Sequence, residues 1–295
     1  MLPLGRRASL ARVGVAYLVA LVVAAGWLLA GPGTGPGWLD ALIADLLATV
    51  VVFCFSRAYG NSSFYDAYWS VAPPLLLAYW WATGPAPLDD GRCWLLAVVV
   101  VAWAVRLTAN WMSTFPGLHH EDWRYAMLRG RAGRAELVVD LLAIHVVPTL
   151  QVFLGMLPVY VAVTRTGRPV GWLDAVAVVV GLGAIALELV ADVQLHRFTR
   201  DREPGQVMDR GVWSWSRHPN YFGEFSFWVA LALFGLAADP SGWWLLVGPA
   251  AMLAMFLGAS IPMMEERSLE RRPAYGEVVR RVSRFVPRPP RRSGA

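Results

Sequence analysis

The sequence predicts an all-α membrane protein, a polytopic bundle of about eight transmembrane helices, from three observations. The 295-residue chain is 57% hydrophobic and only 16% charged, whereas soluble domains run near 45–50% and about 25%. Its apolar residues collect in stretches of about 20, the length a helix needs to cross ~30 Å of hydrocarbon. Its basic residues, all arginine, gather in alternate connecting segments.

The apolar stretches run over residues 12–30, 38–56, 66–83, 92–112, 137–164, 171–198, 221–238 and 243–262. The first follows Arg6, Arg7 and Arg12, as a signal peptide would. It is long, however, and lacks a small-residue cleavage site before Gly31-Pro32, so it is read as a helix. The Gly/Pro-rich turn 31–37 lacks the strand, spacing and helix of a nucleotide loop. The whole chain, 1–295, reads as a single membrane domain. Residues 1–36 form an additional helix and turn, and 263–295 a basic tail. With the N-terminus inside, the inner segments hold 22 arginines and the outer loops only Arg92, Arg165 and Arg168. The positive-inside rule then puts both termini in the cytoplasm. The absence of Lys and the wealth of Ala, Gly, Arg and Pro make a bacterial inner membrane the expected location.

Several functions are excluded. Cys54 and Cys93 have no metal-type spacing, and five His are too few for a di-iron cluster. His119-His120-Glu121-Asp122 reads as a solvated loop. No metal site and no nucleic-acid partner are expected. The bilayer and a lipid-like small molecule are, while the oligomeric state stays open.

Polarity within the spans is concentrated toward the inner side. Asp66, Arg106, Asp140, His145, Glu188, Asp192, Asn220, Glu224, Glu265 and Glu266 all fall there, against Asp40, Asp45 and Asp174 in the outer half. Ionisable groups in a membrane are costly and mark function, so one cavity open to the cytoplasm is expected. Glu188, Asp192 and His196 recur every four residues, as do Asn220 and Glu224, and each set shares a helix face. The densest cluster is Ser216-Arg-His-Pro-Asn-Tyr-Phe-Gly-Glu224. Pro219 suits a first helical turn. The free amides of that helix start, beside Arg217 and His218, suit phosphate.

At these residues the chain resembles a known family. Gly211 to Glu224, Asn61 to Trp69, Glu121 to Tyr125, Ala191 to Leu195 and the tail from Glu266 to Pro287 are similar, in order, to segments of the steroid 5-alpha-reductase-like membrane proteins, in particular the branch called DUF1295. The resemblance covers about residues 55–288. It implies a membrane-embedded, NADPH-dependent reductase acting on a carbon–carbon double bond conjugated to a carbonyl in a lipid-like substrate. Asn220 and Glu224 match the nicotinamide-side run, Asp192 an acid of the preceding span, and Arg281, or alternatively Arg280, a phosphate-contacting tail arginine. Glu188, Arg200, Arg217, His218, Tyr221, Glu266 and Tyr275 complete the cofactor set the resemblance implies.

Hydride arriving at the β-carbon builds charge on the substrate oxygen, which must meet a hydrogen-bonding or positive group. Arg106 and a neutral Asp66 are the expected partners, with Tyr68 or Tyr65 as hydroxyl donor. Three departures from the family stand out: Glu188 replaces an Asn, the family's active-site Tyr falls near Leu107, and an additional N-terminal helix precedes the seven-span core that the resemblance implies. The same Arg-His-Pro-x-Tyr run and Glu-Glu tail also resemble isoprenylcysteine-type methyltransferases, making an S-adenosylmethionine-dependent methyltransferase the first alternative. A non-enzymatic lipid-binding or transport protein is the second.

Overall fold

The computed structural model describes residues 5 to 290, all of them helix, turn or irregular chain with no strand. Arg291 and Arg292, at the end of the expected tail, lie outside the described residues. Helices α1 (Arg6–Ala30), α2 (Gly37–Tyr59), α4 (Gly91–Thr114), α5 (Trp123–Thr164), α6 (Trp172–Asp201), α7 (Pro219–Ala238) and α8 (Trp243–Arg271) are each long and apolar enough to cross a membrane. The chain is therefore a polytopic helical membrane protein.

The expected count of eight falls to seven by length. The stretch 66–83 forms α3 (Tyr68–Thr83), a helix of 16 residues with Pro73 and Pro74 inside it. At 1.5 Å per residue it spans about 24 Å. The residues before it fold as a 3₁₀ turn, Ser62–Tyr65, capped by Asn61, whose side chain accepts from the Ser63 amide. The turn follows Gly60, whose left-handed φ of 61° ends α2. A π-helical turn, Asp140–Val146, lies inside α5, and such turns are frequent at functional positions.

The chain divides into two compact units, one ending at Thr166 and one beginning at Gly167. In the first, α1, α2 and α3 close around Val13, Ala16, Ala20, Ala48, Val52, Phe64, Tyr65, Tyr68 and Ala72. The alanines let the helix backbones approach, which is how membrane helices gain packing without a hydrophobic driving force. The opposite face of α1 leaves Leu18, Val22 and Leu29 more than 60% exposed, a surface suited to lipid and not to water.

In the second unit α6 and α7 pack along their length. Gly223 permits their approach, since a Cβ there would stand 2.5 Å from Glu188 Cγ and 3.0 Å from the Ala184 carbonyl oxygen. After α8 the chain forms α9 (Tyr275–Arg281) and returns to the start of α7, as described below.

Candidate functional site

In the first unit, the polar cavity forms where α3, α4 and the start of α5 meet. It has a volume of about 330 Å³ and is lined by Asp66, Trp69, Asn110, Trp111, Arg124 and Tyr125, among others. Asp66 sits in the turn before α3, and the Tyr125 hydroxyl donates to its Oδ1 at 2.7 Å. Burial pushes the Asp66 carboxyl up to about 6, against the opposing pull of the Tyr125 hydrogen bond. Asp122 caps α5 by accepting from the Arg124 amide at 2.8 Å, and its carboxylate grips the Arg124 guanidinium at 2.9 and 2.8 Å. This cap fixes the turn of α5 that carries Tyr125. Trp111 stacks on Phe115 at 4.7 Å. Its buried Nε1 has no acceptor among the described residues.

Of the three residues expected to be catalytic, only Asp66 lines this cavity. Tyr68 lies two residues on, inside α3, and its hydroxyl donates to Asp45 Oδ1 at 2.7 Å. Arg106 is half-buried on α4, one position before Leu107, which does line the cavity. Tyr65 joins a chain of buried hydroxyls, 2.8 Å from Thr149, itself 2.8 Å from Thr49. Asp140 and His145, expected at the mouth of a common cavity, are fully buried. Asp140 accepts from Arg57 at 2.9 Å and Ser62 at 2.7 Å, while His145 bonds the Asp140 carbonyl and Ser56. Inner-side polarity in this unit thus splits into a solvent-reachable cavity and a closed structural network.

In the second unit, the expected cofactor residues gather at the start of α7 and in the tail. Pro219 occupies the first helical position after His218. Arg217 donates through Nε to Glu265 at 2.6 Å and through Nη1 to the carbonyls of Val279 at 2.9 Å and Val282 at 2.8 Å. Its amide donates to Ser283 O at 2.8 Å, and Ser216 Oγ donates to Phe285 O at 2.7 Å. These bonds clamp the tail onto α7. His218 is 3.2 Å from the same Glu265 oxygen. Burial holds its imidazole below the ordinary value, opposed by Glu265, so it is neutral at pH 7 and donates through Nε2. The His218 ring stacks on Tyr221 at 5.6 Å, and Tyr221 on Phe256 at 4.8 Å.

Glu224 is buried and accepts from Trp228 Nε1 at 2.8 Å, while Glu188 is buried on α6 against Gly223. Asp192 and Asn220 are half-buried and the Asn220 side chain accepts from the Tyr221 amide at 3.1 Å. Tyr275 is buried, its phenol pushed by desolvation up to about 12. Arg281 bonds Asp209 at 2.5 Å and Arg280 pairs with Glu277. Arg200 pairs with its neighbour Asp201 on the surface, and Glu266 is exposed.

Residues the sequence reading passed over complete both sets. They are Tyr125 and Trp111 in the first unit and Arg284 and Arg272 in the second, where they join Glu265. Arg284 approaches Glu265 at 3.5 Å. Arg272 carries a buried Nε–H with no acceptor among the described residues. Desolvation and the positive charges of Arg202 and Arg271 hold it below its ordinary value, a setting that favours an anion.

A family model described as "Protein of unknown function (DUF1295)" matches residues 52–282. The chain belongs to the DUF1295 family. As a DUF1295 member it is 26% identical over 280 residues, 86% of this chain and 80% of the other, to an uncharacterized protein of Schizosaccharomyces pombe. No solved structure matches the chain. The match with the family model spans both units but leaves out α1 and most of α2.

Proposed function

We propose that this DUF1295 member is an NADPH-dependent oxidoreductase that reduces a carbon–carbon double bond conjugated to a carbonyl in a lipid-like substrate. The observation that carries the reading is the Asp66–Tyr125 pair, a half-buried carboxyl and phenol 2.7 Å apart on the wall of a 330 Å³ cavity. That volume is at the low end of the ~300–1,000 Å³ of small-molecule sites, so it suits a head group with its tail outside.

The residues of the second unit suit the proposed cofactor. The buried N–H of Arg272, near Arg202 and Arg271, is an anion donor without an acceptor among the described residues, and phosphate supplies one. Arg281, Arg280 and Arg217 already hold acidic or carbonyl partners. They support the tail that carries Arg272. Asn220, Tyr221 and Glu224 share the first turns of α7 and are the nicotinamide-side residues in this reading. NADPH, when bound, supplies the hydride.

The chain's own part is electrostatic. Hydride arrival leaves an enolate, and Tyr125 is the cavity residue whose hydroxyl meets its oxygen in this reading. Asp66, its carboxyl pushed up to about 6, holds the Tyr125 hydroxyl in place and, when protonated, replenishes the proton that the phenol gives up. Asp122 and Arg124 hold the start of α5 so that the phenol stays in place.

In a bacterial inner membrane, the arginine distribution favours cytoplasmic termini. Both termini on one side require an even number of crossings, so α3 must cross as well. A reporter fused after Thr83 would read periplasmic if it does.

The decisive experiment measures the thermal midpoint of the detergent-purified protein with NADPH, NADH and S-adenosylmethionine. A ligand at 100 times its Kd adds about 2.7 kcal/mol. Stabilisation by NADPH that is lost in Arg272→Ala, followed by oxidation of NADPH with a cyclic enone, supports the reductase. Stabilisation by S-adenosylmethionine alone moves the chain to the methyltransferase class and removes the hydride chemistry.

A further inference from the structure

A second cavity lies in the first unit, between α1, α2 and α3, with a volume of about 190 Å³. Its walls are almost wholly apolar, built from alanines such as Ala20, Ala24, Ala44 and Ala72 and from Leu21 and Leu75. Leu21 and Leu75 are each 45% exposed and form its mouth toward the lipid. The small side chains of three helices leave the volume open where larger ones would fill it.

One carboxyl group lines this space, beside the phenols of Tyr17, Tyr68 and Tyr79. Asp45 is only 6% exposed, and its Oδ1 accepts from the Tyr68 hydroxyl at 2.7 Å. A carboxyl group has sites for about four hydrogen bonds, and the phenol oxygen retains acceptor capacity once its proton is committed. The floor therefore offers acceptors inside an apolar sleeve. Elsewhere in this unit, helices are joined by the hydroxyl pairs Thr49 with Thr149 and Ser70 with Thr108, and by the Arg57–Asp140 and Ser56–His145 contacts. None of these residues lines this cavity. A carboxyl deep in a membrane helix and facing open volume is a functional feature by default.

We propose that this cavity is a binding site for a long-chain alcohol, with the hydroxyl donating to Asp45 and the hydrocarbon chain running along the alanine walls to the mouth at Leu21 and Leu75. A hydroxyl is the head group that matches the floor: it donates one hydrogen bond and carries no charge. An ammonium would have to hold a full ion pair among apolar walls, where desolvation cancels much of the attraction. A plain acyl chain would leave the Asp45 oxygens facing hydrocarbon. The site is independent of the reductase reading, because Asp66, Trp111 and Tyr125 line the other cavity. It also gives Tyr68 a place, orienting Asp45.

The test is photolabelling of the detergent-purified full chain with a ten-carbon alcohol carrying a mid-chain diazirine, with labelled residues mapped by mass spectrometry. Label is expected on the α1, α2 and α3 wall residues, competed at least tenfold better by 1-decanol than by decane or decylamine. Asp45→Leu should abolish that preference. Leu75→Trp, which changes an exposed mouth residue and leaves the packed interior alone, should block labelling without moving the thermal midpoint. Labelling spread evenly over all lipid-facing helices, equal competition by decane, stronger competition by decylamine, or unchanged labelling in Leu75→Trp would each overturn the assignment.

Discussion

Replacing Gly223 by alanine sets two effects of known size against each other at the seam of α6 and α7. Within a helix, alanine is favoured over glycine by about 1 kcal/mol. Against this, the new Cβ would stand 2.5 Å from Glu188 Cγ and 3.0 Å from the Ala184 carbonyl oxygen, where carbon contacts prefer about 3.5–4.0 Å. Neither neighbour is the loose end of a flexible chain. The carbonyl belongs to the α6 backbone, and Glu188 is only 2% exposed. Overpacking of this kind costs about 1–3 kcal/mol. The net is a destabilisation of about 1 kcal/mol, or roughly 2–4 °C in a chain of this size. The assay is the thermal midpoint of the detergent-solubilised protein, with Gly183→Ala as control, since a Cβ on Gly183 of α6 meets nothing within 4 Å. The control should rise while Gly223→Ala falls. Adding Glu188→Ala should recover part of the loss, because the Ala184 carbonyl remains. If Gly223→Ala rises as much as Gly183→Ala, the close approach of α6 and α7 is not what requires glycine in the Asn-x-x-Gly-Glu run.

Glu265→Ala removes the acceptor shared by Arg217 and His218. Breaking a buried pair from one side costs about 3 kcal/mol, and limited proteolysis should cut the tail beyond Arg272 much sooner than in the parent. Tyr125→Phe should leave the midpoint within about 1 kcal/mol of the parent, one hydrogen bond being lost, while lowering enone reduction by roughly 10²-fold, the lower range for a general acid; equal loss of both would make Tyr125 structural. Asp66 binds its proton more tightly folded than unfolded, so its contribution is fully present below the ordinary carboxylate value and is lost as pH rises through about 6. The size is at most about 3 kcal/mol, and Asp66→Asn should flatten that part of a stability–pH curve. His218, held low by burial, contributes with the opposite sign, above ~6.5 and less as pH falls.

The spans were legible because a membrane helix is encoded by a local quantity, an unbroken apolar run, and seven of the eight runs are long helices in the structure. The exception is instructive. Residues 66–83 have the right hydropathy, but Asn61 caps a 3₁₀ turn over 62–65, and the chain does not enter α3 until Tyr68. That delay separates Asp66 from Tyr68, which spacing alone would leave as neighbours. Contacts within one helix turn were similarly readable: Asn220 and Glu224 do share the start of α7.

Partners distant in sequence were not readable. Tyr125 is 59 residues from Asp66, and Arg217 is 48 residues from Glu265 and 62 from the Val279 carbonyl. Sequence spacing records which side chains share a face, and says nothing of which face another helix presents. This limit separates the two kinds of arginine in the second unit. Arg217 looked like a phosphate ligand because it stands beside a helix start rich in free amides, and a lone cation there has no visible competitor. Folding supplies the competitor, since a guanidinium has five donors and Glu265 with two tail carbonyls meets three of them. Arg272 looked like one more tail arginine, yet it is the one whose buried N–H meets no acceptor among the described residues. Cation density therefore marks the arginine-rich end of this unit, but only the accounting of acceptors shows which cation keeps an unused buried donor. Arg272→Ala should weaken phosphate-dependent binding of NADPH relative to NADH, whereas Arg217→Ala should loosen the tail and weaken both alike.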